Sequence, residues 1–237
     1  MNVNDNEKDT KVEKETPPDV LKWASERLRA FLGASNTDAL EVMYDDVAER
    51  YDELTAAMKY DGDVLTVDAL TRLVPNRDVR ILDVGCGTGL VGQQLYDKGY
   101  RDIHGVDMSA GLLKVLEKKQ IYSKLVKARF DPSTPLQYAD GYFDVIISSG
   151  VFIPSHLTHT CLPEIIRLLK AEGHILITTR KNVFDEEMAG IKLKSSFASL
   201  TKDGVLEKIS HEEIDYLTDE NDGVTPGLIL SYKVLQQ

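Results

Sequence analysis

The run Ile81-Leu82-Asp83-Val84-Gly85-Cys86-Gly87-Thr88-Gly89 constrains this chain more than any other stretch. Its apolar, β-branched start reads as a strand and its three glycines as a tight turn. Leu90, Val91, Leu95 and Tyr96 then read as a helix that starts at the loop. A strand that passes through glycines into a helix N-terminus lets backbone N–H groups and the helix dipole approach a polar ligand closely. Any strand-to-helix turn of an α/β protein satisfies the same pattern, so the rest of the chain must decide what the loop holds.

From Asp78 onward strand and helix signals alternate. Strands are expected at 79–84, 102–107, 124–130, 143–149 and 173–180, with helices near 88–98, 109–120 and 160–170. This alternation predicts an α/β fold with a mainly parallel, three-layer sheet whose ligand crevice lies beyond the carboxyl ends of the strands. A helix-like segment around 185–200 leads to two further strand patterns, 204–217 and 227–235. The short connection at Pro226-Gly227 predicts that the last strand closes an antiparallel hairpin.

The first third of the chain is different. Residues 1–16 are almost entirely polar and charged and are expected to form a disordered tail. Pro17-Pro18 opens a helical pattern with Leu21, Ala24, Leu28, Phe31 and Leu32 on one face. A second helix carries Leu40, Met43, Tyr44, Val47, Ala48 and Tyr51, and a third carries Val64, Leu65, Ala69, Leu70 and Leu73 before Pro75 ends it. Residues 17–76 therefore read as an N-terminal helical cap on a core spanning 77–237, the two forming a single domain.

Charge narrows the function classes. With 28 basic against 39 acidic residues, the formal charge of -11 argues against a large nucleic-acid or anionic-membrane footprint, because a basic surface must supply that attraction. No apolar run approaches membrane-spanning length, and the polar start lacks a signal peptide's apolar core, so a cytoplasmic location is expected. Cys86 and Cys161 give no disulfide framework. His156, His159 and Cys161 cluster in sequence but lack a fourth ligand at zinc spacing, so no metal is expected.

The glycine loop can be taken in two registers. Gly87-Thr88-Gly89-Leu90-Val91-Gly92 spells G-x-G-x-x-G, which with an acid at Asp107 fits a nicotinamide-dependent oxidoreductase. In the other register Gly85 begins the turn, Gly87 allows close ligand approach and Gly89 relieves crowding at the helix start, with Asp83 just upstream. An acid beside the loop suits a cationic ligand group better than it suits a pyrophosphate. Asp107 ends the strand Ile103-His104-Gly105-Val106-Asp107, where a carboxylate can accept hydrogen bonds from a ribose diol in either register. Its alternative role is to cap the next helix, a task Ser109 can also fill.

The second register, Leu82-Asp83-Val84-Gly85-Cys86-Gly87-Thr88-Gly89, resembles the first motif of the class I S-adenosylmethionine-dependent methyltransferases. Met43-Tyr44-Asp45-Asp46-Val47-Ala48-Glu49-Arg50-Tyr51-Asp52 is similar to the helical preface of that family, and Asp140-Gly141-Tyr142-Phe143-Asp144-Val145-Ile146-Ile147-Ser148-Ser149-Gly150 to its fourth strand. The resemblance implies a three-layer Rossmann-like fold, with a mainly parallel seven-stranded sheet and an antiparallel C-terminal strand. It also implies S-adenosyl-L-methionine as cofactor. The glycine backbone would lie against the methionyl part, Asp83 would help place the ammonium group, and Asp107, followed by Met108, would take the ribose. Asp131 would accept from the adenine amino group, with a turn residue as its other reading, and Phe130 would cover an adenine face. Tyr51, and after it Tyr44, would lie near the cofactor's carboxylate, and Ser148 near the crevice.

The resemblance implies transfer of a methyl group to an acceptor. The strand-four segment lacks the Asn/Asp-Pro-Pro-Tyr/Phe signature of amide or exocyclic-base nitrogen methylation, which together with the acidic charge points to a small-molecule acceptor. His156 and His159 are the available candidates for a general base. A noncatalytic S-adenosylmethionine-binding or protein-interaction module is the alternative, with Leu21, Leu28 and Phe31 as its apolar face.

Overall fold

A computed structural model describes residues 16–219 and 223–235. The chain opens with four helices, α1 (Pro18–Leu32), α2 (Thr37–Val47), α3 (Tyr51–Ala57) and α4 (Gly62–Leu73). Alternation follows through β1 (Arg80–Val84), α5 (Leu90–Asp97), β2 (Asp102–Asp107), α6 (Ala110–Glu117), β3 (Lys124–Lys127) and β4 (Phe143–Ser149). The C-terminal part comprises α7 (Leu162–Leu168), β5 (Leu169–Arg180), α8 (Lys181–Asp185), α9 (Leu193–Lys202), β6 (Leu206–Asp219) and β7 (Gly223–Val234). The expectation for residues 1–16 falls almost wholly outside the described residues.

The seven strands form one sheet in the order β3-β2-β1-β4-β5-β7-β6. The first five run parallel, while β7 is antiparallel to both β5 and β6, which is the architecture expected from the sequence. Strands β1 and β4 lie inside the sheet, and their Ile81, Leu82, Val84, Val145, Ile146 and Ile147 are fully buried, as apolar runs covered on both faces must be. One face packs against α7, α8 and α9 through Ile146, Ile165, Val183 and Phe197, and the other against α4 and α5 through Ile81, Val145, Leu70 and Leu95. No helix among the described residues is long and apolar enough to cross a membrane.

The apolar stripe of α1 is spent within the same domain. Leu21 and Phe31 are buried with Leu40, Leu54 and Met58 of the neighbouring helices, and this cluster includes Tyr216 and Leu217 of β6. Polar contacts hold the outer edge of the cap: Asp45 accepts from the Ser109 hydroxyl and the Gly111 amide at 2.6 and 2.8 Å, and Glu41 pairs with Lys127 at 2.8 Å. The helical layer is thus held over the carboxyl ends of the strands.

Several boundaries differ from the sequence expectation, each for a local reason. Strand β3 stops at Lys127 instead of reaching 130, because Lys127 and Arg129 are drawn to Asp38 and Glu41 of α2 while Phe130 turns into the core. Strand β5 begins four residues earlier than 173, since Leu169 pairs with Phe143 across a register irregularity. The closing hairpin does not turn at Pro226-Gly227. Those two residues sit inside β7 opposite Asp215 and Ile214, and a Cβ on Gly227 would come within 2.7 Å of the Tyr216 Cβ. Gly227 therefore serves close packing of a tyrosine.

Candidate active site

The glycine loop takes its shape from backbone that only glycine adopts easily. Gly85 and Gly89 have φ of +74° and +85°, and a Cβ on Gly85 would lie 2.4 Å from Val151 Cγ2. The Gly85 amide donates to the Val106 carbonyl at 2.8 Å, so the loop is tied to the end of β2. Asp107 completes that tie: its Oδ2 accepts from the Gly87 amide and its Oδ1 from the Ser109 amide, both at 2.9 Å. Helix capping falls to Ser109, whose hydroxyl accepts from Leu112 N at 3.0 Å, leaving Asp107 to brace the loop.

A cavity of about 330 Å³ lies over these strand ends, beneath the helical cap. Of the residues singled out in the sequence, Tyr44, Tyr51, Gly85, Gly87, Asp107, Met108, Phe130, Asp131 and His156 line it. Beside Gly87 there is open space, since a Cβ there would meet only Tyr51 Cε1 at 3.9 Å. Burial raises the pKa of the Asp107 carboxyl against the opposing effect of the backbone donors, and it raises that of the Tyr51 phenol. Asp131 is at the rim, its Oδ1 accepting from Ser133 N at 2.8 Å in a turn that holds its pKa low.

Asp83, Gly89, Ser148 and His159 are outside the cavity lining. Asp83 is fully buried beneath the loop, where Oδ2 accepts from the Tyr122 hydroxyl at 2.5 Å and Oδ1 has no partner among the described residues. Desolvation, opposed by the Tyr122 hydrogen bond and reinforced by Asp107, lifts its pKa to about 7. Ser148 donates its hydroxyl to the Val84 carbonyl at 2.9 Å, which ties β4 to β1 behind the wall. His159 faces a separate depression beside Ile166, Arg167 and Leu200.

His156 is within the cavity but is fully engaged. Its Nδ1 lies 2.8 Å from the Pro154 carbonyl, which can only accept, so Nδ1 carries the proton and Nε2 accepts from the Tyr44 hydroxyl at 2.6 Å. Burial holds the imidazole pKa below its ordinary value, in keeping with this neutral tautomer. Tyr44 is further fixed by stacking on Phe31 at 4.4 Å and by an edge contact with Tyr51 at 5.9 Å between ring centres.

The wall at the β4 end draws on several elements. Ser149 ends β4 and Gly150 and Val151 follow it, Arg180 ends β5, and Tyr216 reaches in from β6. The Tyr60 hydroxyl shares a 2.7 Å hydrogen bond with Ser149, and its ring meets Tyr216 edge-on at 5.1 Å. Arg180 carried a readable signal, a charge ending the buried run Ile175-Leu176-Ile177-Thr178-Thr179, whereas Tyr60 and Tyr216 carried none.

Residues 75–221 match a family model described as a methyltransferase domain. Human methyltransferase-like protein 27 is 33% identical over 158 residues, covering 66% of this chain and 64% of the relative. A malonyl-acyl-carrier-protein O-methyltransferase of Priestia megaterium is 29% identical over 154 residues, covering 65% and 55%. The matches therefore span less than two thirds of these relatives' lengths. Among solved structures, the 4+2 cyclase SpnF superposes with a TM-score of 0.63 at 18% identity, covering 85% of this chain and 97% of that one. An S-adenosylmethionine-dependent methyltransferase described as putative, from Listeria monocytogenes, gives 0.55 at 14%, covering 72% and 98%.

Proposed function

The chain belongs to the class I S-adenosylmethionine-dependent methyltransferases, and on that premise we propose that it transfers a methyl group from S-adenosylmethionine to a small molecule held under the helical cap. One observation carries the reading: Asp107 and the Gly85–Gly87 backbone line one wall of a cavity whose other walls come from the cap and from the ends of β4 and β5. A donor site and room for an acceptor thus share one enclosure. The family assignment leaves the oxidoreductase register of the glycines without support, and the burial of Leu21 and Phe31 removes most of the apolar face expected of an interaction module.

The residues present fit the cofactor. The space beside Gly87 lets a ligand lie against backbone, and the Asp107 carboxylate retains lone pairs for ribose hydroxyls. Asp83, with its unpartnered Oδ1 buried beneath the loop and its pKa lifted to about 7, can favour an ammonium group only from behind the loop and only when ionised. When bound, S-adenosylmethionine supplies an already activated sulfonium methyl. The chain's own contribution is then to orient the acceptor and to exclude water.

The lining offers no free imidazole, thiolate or phenolate base among the described residues. Both nitrogens of His156 are occupied, burial raises the phenols of Tyr44, Tyr51, Tyr60 and Tyr216, and the Cys161 thiol, lifted to about 11, donates to the Phe130 carbonyl. His156 accordingly acts as a positioning residue that fixes the Tyr44 ring, and the acceptor attacks without surrendering a proton to the enzyme beforehand. Calorimetry with S-adenosylmethionine, S-adenosylhomocysteine and NAD tests the donor assignment. Binding of the two sulfur compounds and not NAD is expected, and the reverse pattern would refute it.

A further inference from the structure

Two arginines line the cavity, and their electrostatic situations differ. Arg129, at the rim, is neutralised by Asp38 and Glu41 of α2. Arg180 has no carboxylate at ion-pair distance among the described residues, and its Nε is buried with no hydrogen-bond partner. An arginine held partly out of water with nothing opposite its charge is costly unless a ligand completes it.

Its place in the sheet says which ligand. β5 is separated from β1 by β4, and from β2 by β4 and β1. With strands about 4.8 Å apart, the strand of Arg180 stands roughly 10 Å from that of the glycine loop and roughly 14 Å from that of Asp107. That distance puts Arg180 at the far end of the cavity from the ribose site. Its neighbours there feel an uncompensated positive charge: it adds to burial in keeping His156 neutral, and it draws down the Tyr216 phenol against the stronger upward push of burial. The cavity that Arg180 faces also carries aliphatic side chains in its lining, among them Leu28, Leu54, Met58, Ile153 and Leu217.

We propose that the methyl acceptor is an apolar small molecule bearing a carboxylate, and that the unpaired guanidinium of Arg180 binds that carboxylate at the β5 end of the cavity. The assignment rests on the methyl-transfer reading, to which it adds the acceptor class. A planar guanidinium matches a carboxylate with two parallel hydrogen bonds, and a single arginine suits a monoanion whose remaining surface is buried by aliphatic side chains.

The test is calorimetry on protein saturated with S-adenosylhomocysteine, titrated with matched acids and amides: octanoate against octanamide, and phenylacetate against phenylacetamide. At least one acid should bind about tenfold or more tighter than its amide. Arg180→Gln should abolish that preference while leaving S-adenosylhomocysteine affinity unchanged, and Arg180→Lys should retain part of it through charge alone. Equal affinity for acids and amides, no binding of any acid at millimolar concentration, or a preference that survives Arg180→Gln overturns the proposal. So does a fall in S-adenosylhomocysteine affinity on that substitution, which puts Arg180 on the cofactor's own carboxylate. Should the glutamine variant fail to fold, the wild-type comparison and the lysine variant still decide. Failure of the wild-type protein to bind S-adenosylhomocysteine, the first step, counts instead against the methyl-transfer reading.

Discussion

The two ends of the cavity are built by different means. At the β1–β2 end the chain offers mostly backbone: a loop bent by left-handed glycines, braced by one carboxylate that takes two amide hydrogens. At the β4–β5 end it offers side chains, with Tyr60, Ser149, Arg180 and Tyr216 arriving from four elements or their flanks. The comparison teaches why one end is fixed and the other adaptable. Backbone geometry tolerates little substitution, whereas side chains on separate elements can be exchanged singly to admit another acceptor.

Substitutions can break this contrast in order of severity. Gly85→Ala forces a Cβ to within 2.4 Å of Val151 in a left-handed backbone. Strain of about 1–3 kcal/mol and overpacking of similar size should abolish S-adenosylhomocysteine binding and lower the melting temperature, both measurable on one preparation. Asp107→Ala frees the Gly87 and Ser109 amides and removes the carboxylate proposed to take the ribose. It should weaken S-adenosylhomocysteine binding by roughly 1–3 kcal/mol, and unchanged affinity would remove Asp107 from the site.

A pH effect sharpens the comparison further. The fold raises the Asp83 pKa from 3.8 to about 7, so between those values the native state holds a proton that the unfolded chain has released. The contribution is stabilising relative to neutral pH, fully present below 3.8 and lost as pH rises through about 7. Asp83→Asn, which keeps the protonated form's shape, should flatten this decline in urea unfolding measured on either side of the window. A variant with the same pH slope as wild type would show that Asp83 titrates normally. The smallest effect is expected from Tyr44→Phe, which removes the hydroxyl donor to His156 Nε2 and should cost about 1 kcal/mol of stability, visible as a small drop in melting temperature.

The same division explains what was legible in the sequence. Strand alternation, the glycine register and Asp107 were readable because they rest on local patterns: apolar periodicity, glycines forced into left-handed turns, and a carboxylate at a strand end. Asp83 was readable as an acid by the loop, yet its burial under Tyr122, 39 residues away, could not be read from spacing. The closing hairpin was legible, but its last strand starts at Gly223 and not at 227, because Pro226 and Gly227 sit in the ladder and Gly227 answers to Tyr216 across the hairpin, a tertiary demand that looks like turn chemistry in one dimension. The fate of His156 was equally hidden, since Tyr44, which occupies its free nitrogen, lies 112 positions earlier.

A structure of the protein with S-adenosylhomocysteine tests the central claim most directly. The account predicts the ribose hydroxyls at hydrogen-bond distance from the Asp107 carboxylate, the methionyl part along Gly85–Gly87, and open space between the sulfur and Arg180. A ligand seated with its ribose at the Arg180 end, or away from Asp107 altogether, would contradict it.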